Sequence, residues 1–431
     1  MKTGNLLCLA GLLLLSWPVR AQKSPTASSI IPGAERMELY LPLLRGKAVA
    51  IFANQTSRVG GIHLVDTLLK RGVSIKKIFA PEHGFRGASD AGENISNARD
   101  PVTGIPIVSL YGTKDKPSPS DLSDIDIMLY DIQDVGVRFY TYISSFQKFL
   151  EAAVENNRPL LVLDRPNPNG FYVDGPVLDP RFKSFVGMQP IPVVYGMTIG
   201  EYGKMLIGEK WLDASVAGNL NTIHAIREAE NKIDSIVRKQ RNYDVGFGGS
   251  DFQLLVIPCE HYTHKSRYIL PLSPSPNLPN MQAVYLYPSI CFFEGTVVSL
   301  GRGTDKPFQQ FGHPSFPSNF HHFVPRSVPG AKNPPLLNQV CYGYDLSKID
   351  AIRELNNHLQ LKWLQLAYRL FPVKEDFFLP SYYFNKLAGN DQLMEQIRAG
   401  TPEAEIRKSW EPGLNHFKSI RKKYLIYPDF E

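Results

Sequence analysis

What most constrains this chain is an alternation of short apolar, β-branched runs with amphipathic stretches through its N-terminal part. Ala48–Ala53 (AVAIFA), Ile75–Ala80, Ile125–Tyr130 (IDIMLY), Leu160–Leu163 and Phe252–Ile257 (FQLLVI) have the length and texture of buried strands. Between them, Ile62–Lys70, Tyr142–Asn156 and Ile199–Ile207 carry the 3.6-residue apolar period of helices, the first stopped by Gly72 and the second before Pro159. Strands that alternate with helices are joined by right-handed crossovers, which makes the sheet mostly parallel. The expected class is therefore α/β, a mostly parallel sheet flanked by helices.

The flanking segments read differently. Lys2, the apolar run Leu6–Trp17 and Val19-Arg20-Ala21 have the three parts of an export signal, so residues 1–21 are expected to be removed and the product to be exported, periplasmic or secreted. Cys8 falls within that run. Residues 22–38 read as a linker, most polar over Gln22–Pro32, and residues 39–312 as the α/β unit. After Gly312 the run HPSFPSNFHHFVPRSVPGAKNPP has the texture of a junction, followed by one helix, Ile349–Tyr368, and a Tyr/Phe-rich stretch; residues 313–431 form a smaller α+β domain. With 43% hydrophobic residues and 431 residues in all, the chain has ample material for a core. A formal charge of +6, or +4 without Lys2 and Arg20, is too small and dispersed to favour nucleic acid. The run Leu6–Trp17 is too short for a membrane span, and no longer apolar run follows it. Cys259, Cys291 and Cys341 lack a CxxC spacing, which argues against structural zinc and allows at most one disulfide.

The chemistry is expected at the carboxyl ends of the strands, where loops diverge and ligands bind in open α/β sheets. Those ends carry acids in this chain: Pro81-Glu82-His83-Gly84, Asp131-Ile132-Gln133-Asp134, Asp164-Arg165-Pro166-Asn167 and Cys259-Glu260-His261. Any one acid there is commonly a helix cap or loop brace; several together point to a functional rim. Nearby stand Arg138, Tyr140 and Tyr142, with Gly136 supplying a turn that aims Arg138 and Tyr140 at the cleft. Later come Glu294 and the glycine-rich Gly301–Pro307 loop with Arg302 and Asp305. Each arginine has an equally good alternative as an internal ion pair, Arg138 with Asp134 and Arg302 with Asp305.

Other chemistries fit less well. No GxGxxG follows the first strand, where Asn54-Gln55-Thr56-Ser57 stands, and there is no Walker A, so no nucleotide cofactor is implied. A GxSxG elbow is missing, which weakens an esterase. His83, His261 and His264 do not fall in metal-ligand spacing, and no metal is expected.

The strings FANQTS (52–57), APEHGFRG (80–87), DAGE (90–93), TGIPIVSLYG (103–112), YDIQDVGVRFYTY (130–142), LDRPNPNG (163–170), FEGT (293–296) and GRGTDKPFQ (301–309) strongly resemble the bacterial exo-acting β-N-acetylmuramidases, a glycoside hydrolase family. The resemblance implies a Rossmann-like N-terminal domain, a smaller C-terminal domain, a cleft between them, and release of N-acetylmuramic acid from the non-reducing ends of peptidoglycan fragments. Muramyl saccharides would be the partner. Glycoside cleavage asks for a proton donor and a second carboxyl group. Glu82 is the leading general acid/base, and the second carboxylate is ordered Glu93, Asp131, Glu294, Asp134. The substrate's own acetamido group is an alternative nucleophile. Arg138 or Arg302 would grip the lactyl carboxylate, and Tyr140 or Tyr142 would stack on the pyranose. Asn54, His83, Asp164, Arg165 and Asn167 would bind hydroxyls or support those that do, Asp164 and Arg165 equally well as an internal pair bracing their turn. Two other readings use the same residues: a metal-assisted hydrolase of wall substituents, and a non-catalytic wall-glycan binding protein.

Overall fold

The computed structural model describes residues 29–82, 84–86, 98–213, 216 and 253–431. The expected leader, His83, the DAGE string with Glu93, and Phe252 at the start of the fifth expected strand lie outside the described residues. Strand β1 (Ala48–Ala53) leads through a short hairpin of β2 (Arg58–Val59) and β3 (Ile62–His63) into helix α2 (Leu64–Lys70), preceded in the chain by helix α1 (Met37–Leu44). Then follow β4 (Ser74–Ala80), β5 (Ala98–Arg99), β6 (Pro106–Ser109), β7 (Ile127–Asp131), helix α3 (Tyr142–Glu155), β8 (Leu160–Leu163), helix α4 (Ile199–Gly208) and β9 (Leu254–Ile257).

Seven of these strands form one sheet in the order β5-β6-β4-β1-β7-β8-β9. Every pairing is parallel except that of β5 at the edge. Leaving β5 aside, the order is that of the doubly wound nucleotide-binding sheets. The chain winds outward from β1 to β6, then returns to lay β7 against the other side of β1, with Phe52 opposite Tyr130 and Ala53 opposite Asp131. A crevice opens at such a reversal, outside the carboxyl ends of the strands.

Alternate residues of each central strand go to opposite faces, as the two-residue strand period demands. Val49, Ile51, Ile127, Leu129, Leu161 and Leu163 meet Leu39, Leu43 and Leu44 of α1 and Leu64, Val65 and Leu68 of α2 on one face. On the other face, Ala50, Phe52, Met128, Tyr130, Leu160 and Val162 pack on Phe146, Phe149 and Leu150 of α3 and on Met205 and Leu206 of α4. Covering both faces is what turns these strands into continuous apolar runs. That second core continues without a break into the C-terminal part, through Phe292, Phe293, Phe311, Leu364 and Trp410. There, β10 (Gln310–His313), β11 (His321–Phe323) and β12 (Cys341–Asp345) make an antiparallel sheet in the order β10-β12-β11, accompanied by helices.

Three expectations need correction. Part of the proline- and histidine-rich stretch is ordered sheet, because His321–Phe323 pairs with β12. The helix expected over Ile349–Tyr368 is two, Ala351–Leu355 and Lys362–Leu370, interrupted where Asn356 and Asn357 adopt the left-handed backbone that asparagine tolerates. The end of the expected linker is built into the fold. Ile31 pairs with Glu260, and Gly33 passes so close to the sheet that a Cβ would lie 2.2 Å from the Ile257 carbonyl oxygen. Cys259, Cys291 and Cys341 are buried free thiols. Among the described residues no helix is long and apolar enough to cross a membrane.

Candidate active site

A chamber of about 230 Å³ opens at the carboxyl end of the sheet, between it and the C-terminal part. Strand β4 ends at Ala80, and the turn after it, closed by Gly84 N–H donating to the Pro81 carbonyl at 3.0 Å, delivers Glu82 to the chamber. Gly84 has φ +77°, a conformation that glycine adopts without cost. The loop after β6 brings Tyr111, the segment between β7 and α3 brings Tyr140, and α3 begins with Tyr142. Gly136 starts that segment with φ +75°, where a Cβ would lie 2.1 Å from Oδ1 of Asn167, so this turn admits only glycine. The opposite wall is C-terminal: Tyr287 from the helix Met281–Ile290, then Glu294, Arg302, Phe308 and Tyr383.

Glu82 and Glu294 are thus brought into one chamber from sequence positions far apart. Arg302 directs both Nε and Nη2 to Oε1 of Glu294, the former at 3.0 Å, and its guanidinium lies 5.2 Å from the centre of the Phe308 ring. Phe308 holds φ +58°, strained for an aromatic residue and of the kind that clusters at functional sites. Gly295 fixes this wall: a Cβ there would sit 2.4 Å from Cα of Phe384, and Leu379 N–H donates to the Gly295 carbonyl at 3.0 Å. The loop of Glu294 and the helix of Tyr383 (Tyr383–Ala388) are therefore in backbone contact. Around Glu82 the neighbours are phenols. Burial, with the charge and hydrogen bond of Glu82 added, pushes Tyr111 up to about 12, and burial with the same charge raises Tyr142. Tyr383 is raised by burial first and by Glu294 next, and Glu82 also contributes.

Of the residues expected from sequence, Glu82, Tyr140, Tyr142, Glu294 and Arg302 line the chamber. Asn54 supports it from behind: its Oδ1 accepts from Thr56 N–H at 2.9 Å while Nδ2 donates to the Tyr142 hydroxyl at 3.0 Å. The NQTS turn is thereby closed by side chains. Others are drawn into the framework and do not reach the chamber. Asp131 is fully buried and takes a bidentate bond from Arg165, with Nη2 to Oδ2 at 2.9 Å. Arg165 also donates to the Arg58 carbonyl, so it does not pair with Asp164. Asp164 instead accepts from the Tyr427 hydroxyl at 2.6 Å and from Gly200 N–H at 3.0 Å, anchoring the C-terminal tail to the sheet. Asn167 is spent on the Met197 carbonyl and on Asn169 N–H. Asp134 accepts from Tyr195 hydroxyl and from Gly136 N–H at 2.6 Å. Burial pushes Asp134 and Asp164 each up to about 6.

Arg138 also departs from expectation. It is fully buried, pairs with no carboxylate among the described residues, and donates to four backbone carbonyls, those of Pro176, Ile191, Leu387 and Ala388. It sits in a turn, where Tyr140 N–H donates to the Val137 carbonyl at 2.9 Å, and its side chain is taken up by those four carbonyls and does not line the chamber. Asp305 is exposed on its turn and outside the chamber. His264 is buried between Glu201 at 3.0 Å and the Gly170 carbonyl, whereas His261 is exposed, so these two do not converge on one point. Sequence reasoning missed Tyr111, Tyr287, Phe308 and Tyr383 as site residues. The glycine-bounded SLYG string was a usable signal for Tyr111; nothing local marks Tyr383.

Comparison with known proteins agrees with this architecture. Residues 49–282 match the family model for the N-terminal part of exo-β-N-acetylmuramidase NamZ, and residues 285–427 the model for its C-terminal part. The peptidoglycan β-N-acetylmuramidase NamZ of Bacillus subtilis is 33% identical over 449 aligned residues, covering 97% of this chain and 98% of that protein. A DUF1343 family protein from Bacteroides fragilis of known crystal structure is 44% identical with a TM-score of 0.79, over 93% of this chain and 100% of that one. A second from the same organism is 26% identical with a TM-score of 0.73, over 92% and 99%. A Rossmann-like sheet whose carboxyl edge faces a chamber closed by C-terminal loops, matched end to end by both models, places this chain in the exo-β-N-acetylmuramidase NamZ family.

Proposed function

We propose that this protein is an exported, exo-acting glycoside hydrolase that releases β-linked N-acetylmuramic acid from the non-reducing ends of peptidoglycan fragments. The observation that carries the reading is that Glu82 and Glu294 line one chamber together with Tyr111, Tyr140, Tyr142 and Tyr383. Glu82 acts as general acid, protonating the departing glycosidic oxygen, and then as general base, taking a proton from the water that attacks the anomeric carbon; Glu294 is the second carboxylate, oriented by Arg302. Asp131 and Asp134 are too deeply engaged elsewhere to take that part. Phenol rings edge the space where the apolar face of a pyranose would lie, Tyr140 and Tyr142 at 4.8 Å from one another.

Arg302 commits Nε and Nη2 to Glu294 and leaves Nη1 to meet the lactyl carboxylate that distinguishes muramic acid from glucosamine. A chamber of about 230 Å³ suits one terminal sugar, which is what an exo mode requires. The test is hydrolysis of a chromogenic β-N-acetylmuramide beside its glucosaminide counterpart. Turnover of the first alone is expected. Binding of muramyl saccharides without turnover would make the protein a wall-glycan binder, and activity abolished by chelator would make it a metal-assisted hydrolase.

A further inference from the structure

Arg138 and Tyr383 are linked by the backbone. Nη2 of Arg138 donates to the carbonyls of Leu387 at 2.7 Å and Ala388 at 2.8 Å, the last turn of the helix that begins with Tyr383. Its Nη1 donates to Pro176 and Ile191 carbonyls on the sheet side, at 2.8 and 2.7 Å. One guanidinium therefore ties the C-terminal helix to the same segment that presents Tyr140 and Tyr142. Gly389 makes room for it, since a Cβ there would lie 2.7 Å from Nη2. The Gly389 carbonyl accepts from Asp179 N–H at 2.8 Å, a second tie to the sheet side.

A helix of six residues has no stability of its own. Its position is set by what grips its ends: Gly295 against Phe384 at the start and Arg138 at the finish. Tyr383 reaches the chamber between Glu82 and the Glu294–Arg302 pair, and its hydroxyl makes no hydrogen bond to the described residues. The orientation of that hydroxyl depends on the helix.

We infer that Tyr383 donates a hydrogen bond to the substrate in the chamber, and that Arg138 is a positioning residue that sets Tyr383 in place from outside it. This rests on the hydrolase reading above. The test is a double-mutant cycle on kcat/KM with the β-N-acetylmuramide: Tyr383→Phe, Arg138→Lys and both together, each checked for folding by thermal melting. Lysine keeps the charge but cannot bridge four carbonyls. Each single change is expected to lower kcat/KM about tenfold, the scale of one lost substrate hydrogen bond. The double variant should stand near tenfold as well, because coupled residues do not add. A product near a hundredfold, or full activity in folded Arg138→Lys, overturns the inference. If Arg138→Lys does not fold, Gly389→Ala replaces it in the cycle with the same expected outcomes. A wild-type protein that fails to turn over the muramide refutes the hydrolase reading instead, which separates the two failures.

Discussion

Replacing Asp134 by asparagine separates a supporting carboxylate from a reacting one. The side chain is buried beneath the segment that carries Tyr140 and Tyr142, with Oδ2 held by Tyr195 and Gly136 and Oδ1 without a hydrogen-bond partner. Burial pushes its pKa from an ordinary 3.8 up to about 6. The folded state therefore holds this proton more tightly than the unfolded state does. Its contribution to stability is complete below about pH 4 and is lost as pH rises through about 6, because the buried carboxylate must then ionise. A shift of that size corresponds to about 3 kcal/mol. Asparagine resembles the protonated acid and does not titrate. Relative to wild type, Asp134→Asn should thus gain about 3 kcal/mol between pH 4 and pH 7, whatever its offset at pH 4. Urea melts at several pH values measure this directly. A stability difference that stays constant with pH, or a loss of turnover as deep as that of a Glu82 variant, would refute the assignment of Asp134 to the framework.

Further predictions concern neighbouring groups. Arg165→Met strands the Asp131 carboxylate in the interior and should cost about 3–5 kcal/mol in denaturant melts; a cost under about 1 kcal/mol would mean the pair behaves like a surface bridge. Arg302→Met should weaken N-acetylmuramic acid far more than N-acetylglucosamine in calorimetric titrations, by up to about 2–5 kcal/mol, and equal losses would remove Arg302 from lactyl recognition. Chelation should leave turnover unchanged, since His264 is tied to Glu201 and Gly170; inactivation reversed by added metal would restore the metal-assisted reading.

The sheet was legible because its strands are pure local pattern. AVAIFA and LLVL occupy Ala48–Ala53 and Leu160–Leu163 as expected, and the ends of α3 and α4 fall within a residue of those expected from Asn156 and Ile207. The helix over Ile349–Tyr368 was misjudged because apolar period outweighed two asparagines that take left-handed backbone. At the site, the rule that acids at strand ends mark a functional rim found Glu82, yet it also selected Asp131, Asp134 and Asp164. Sequence proximity to a rim does not reveal whether a carboxylate turns outward to a ligand or inward to Arg165, Tyr195 or Tyr427. The same limit applies to Arg138 and Arg302. One of them meets four carbonyls, 38 to 250 positions away, and the other a glutamate eight positions back. Tyr383 was invisible because its role arises only where a C-terminal helix is brought against the sheet.

The central claim is that Glu82 gives the departing oxygen its proton. Its most direct test compares Glu82→Gln with wild type on two muramides, one with the natural saccharide leaving group and one with dinitrophenolate, which departs without help. The deficit should be on the order of 10²–10⁴ for the saccharide and far smaller for the dinitrophenyl compound. Equal deficits on both would show that Glu82 is not the acid.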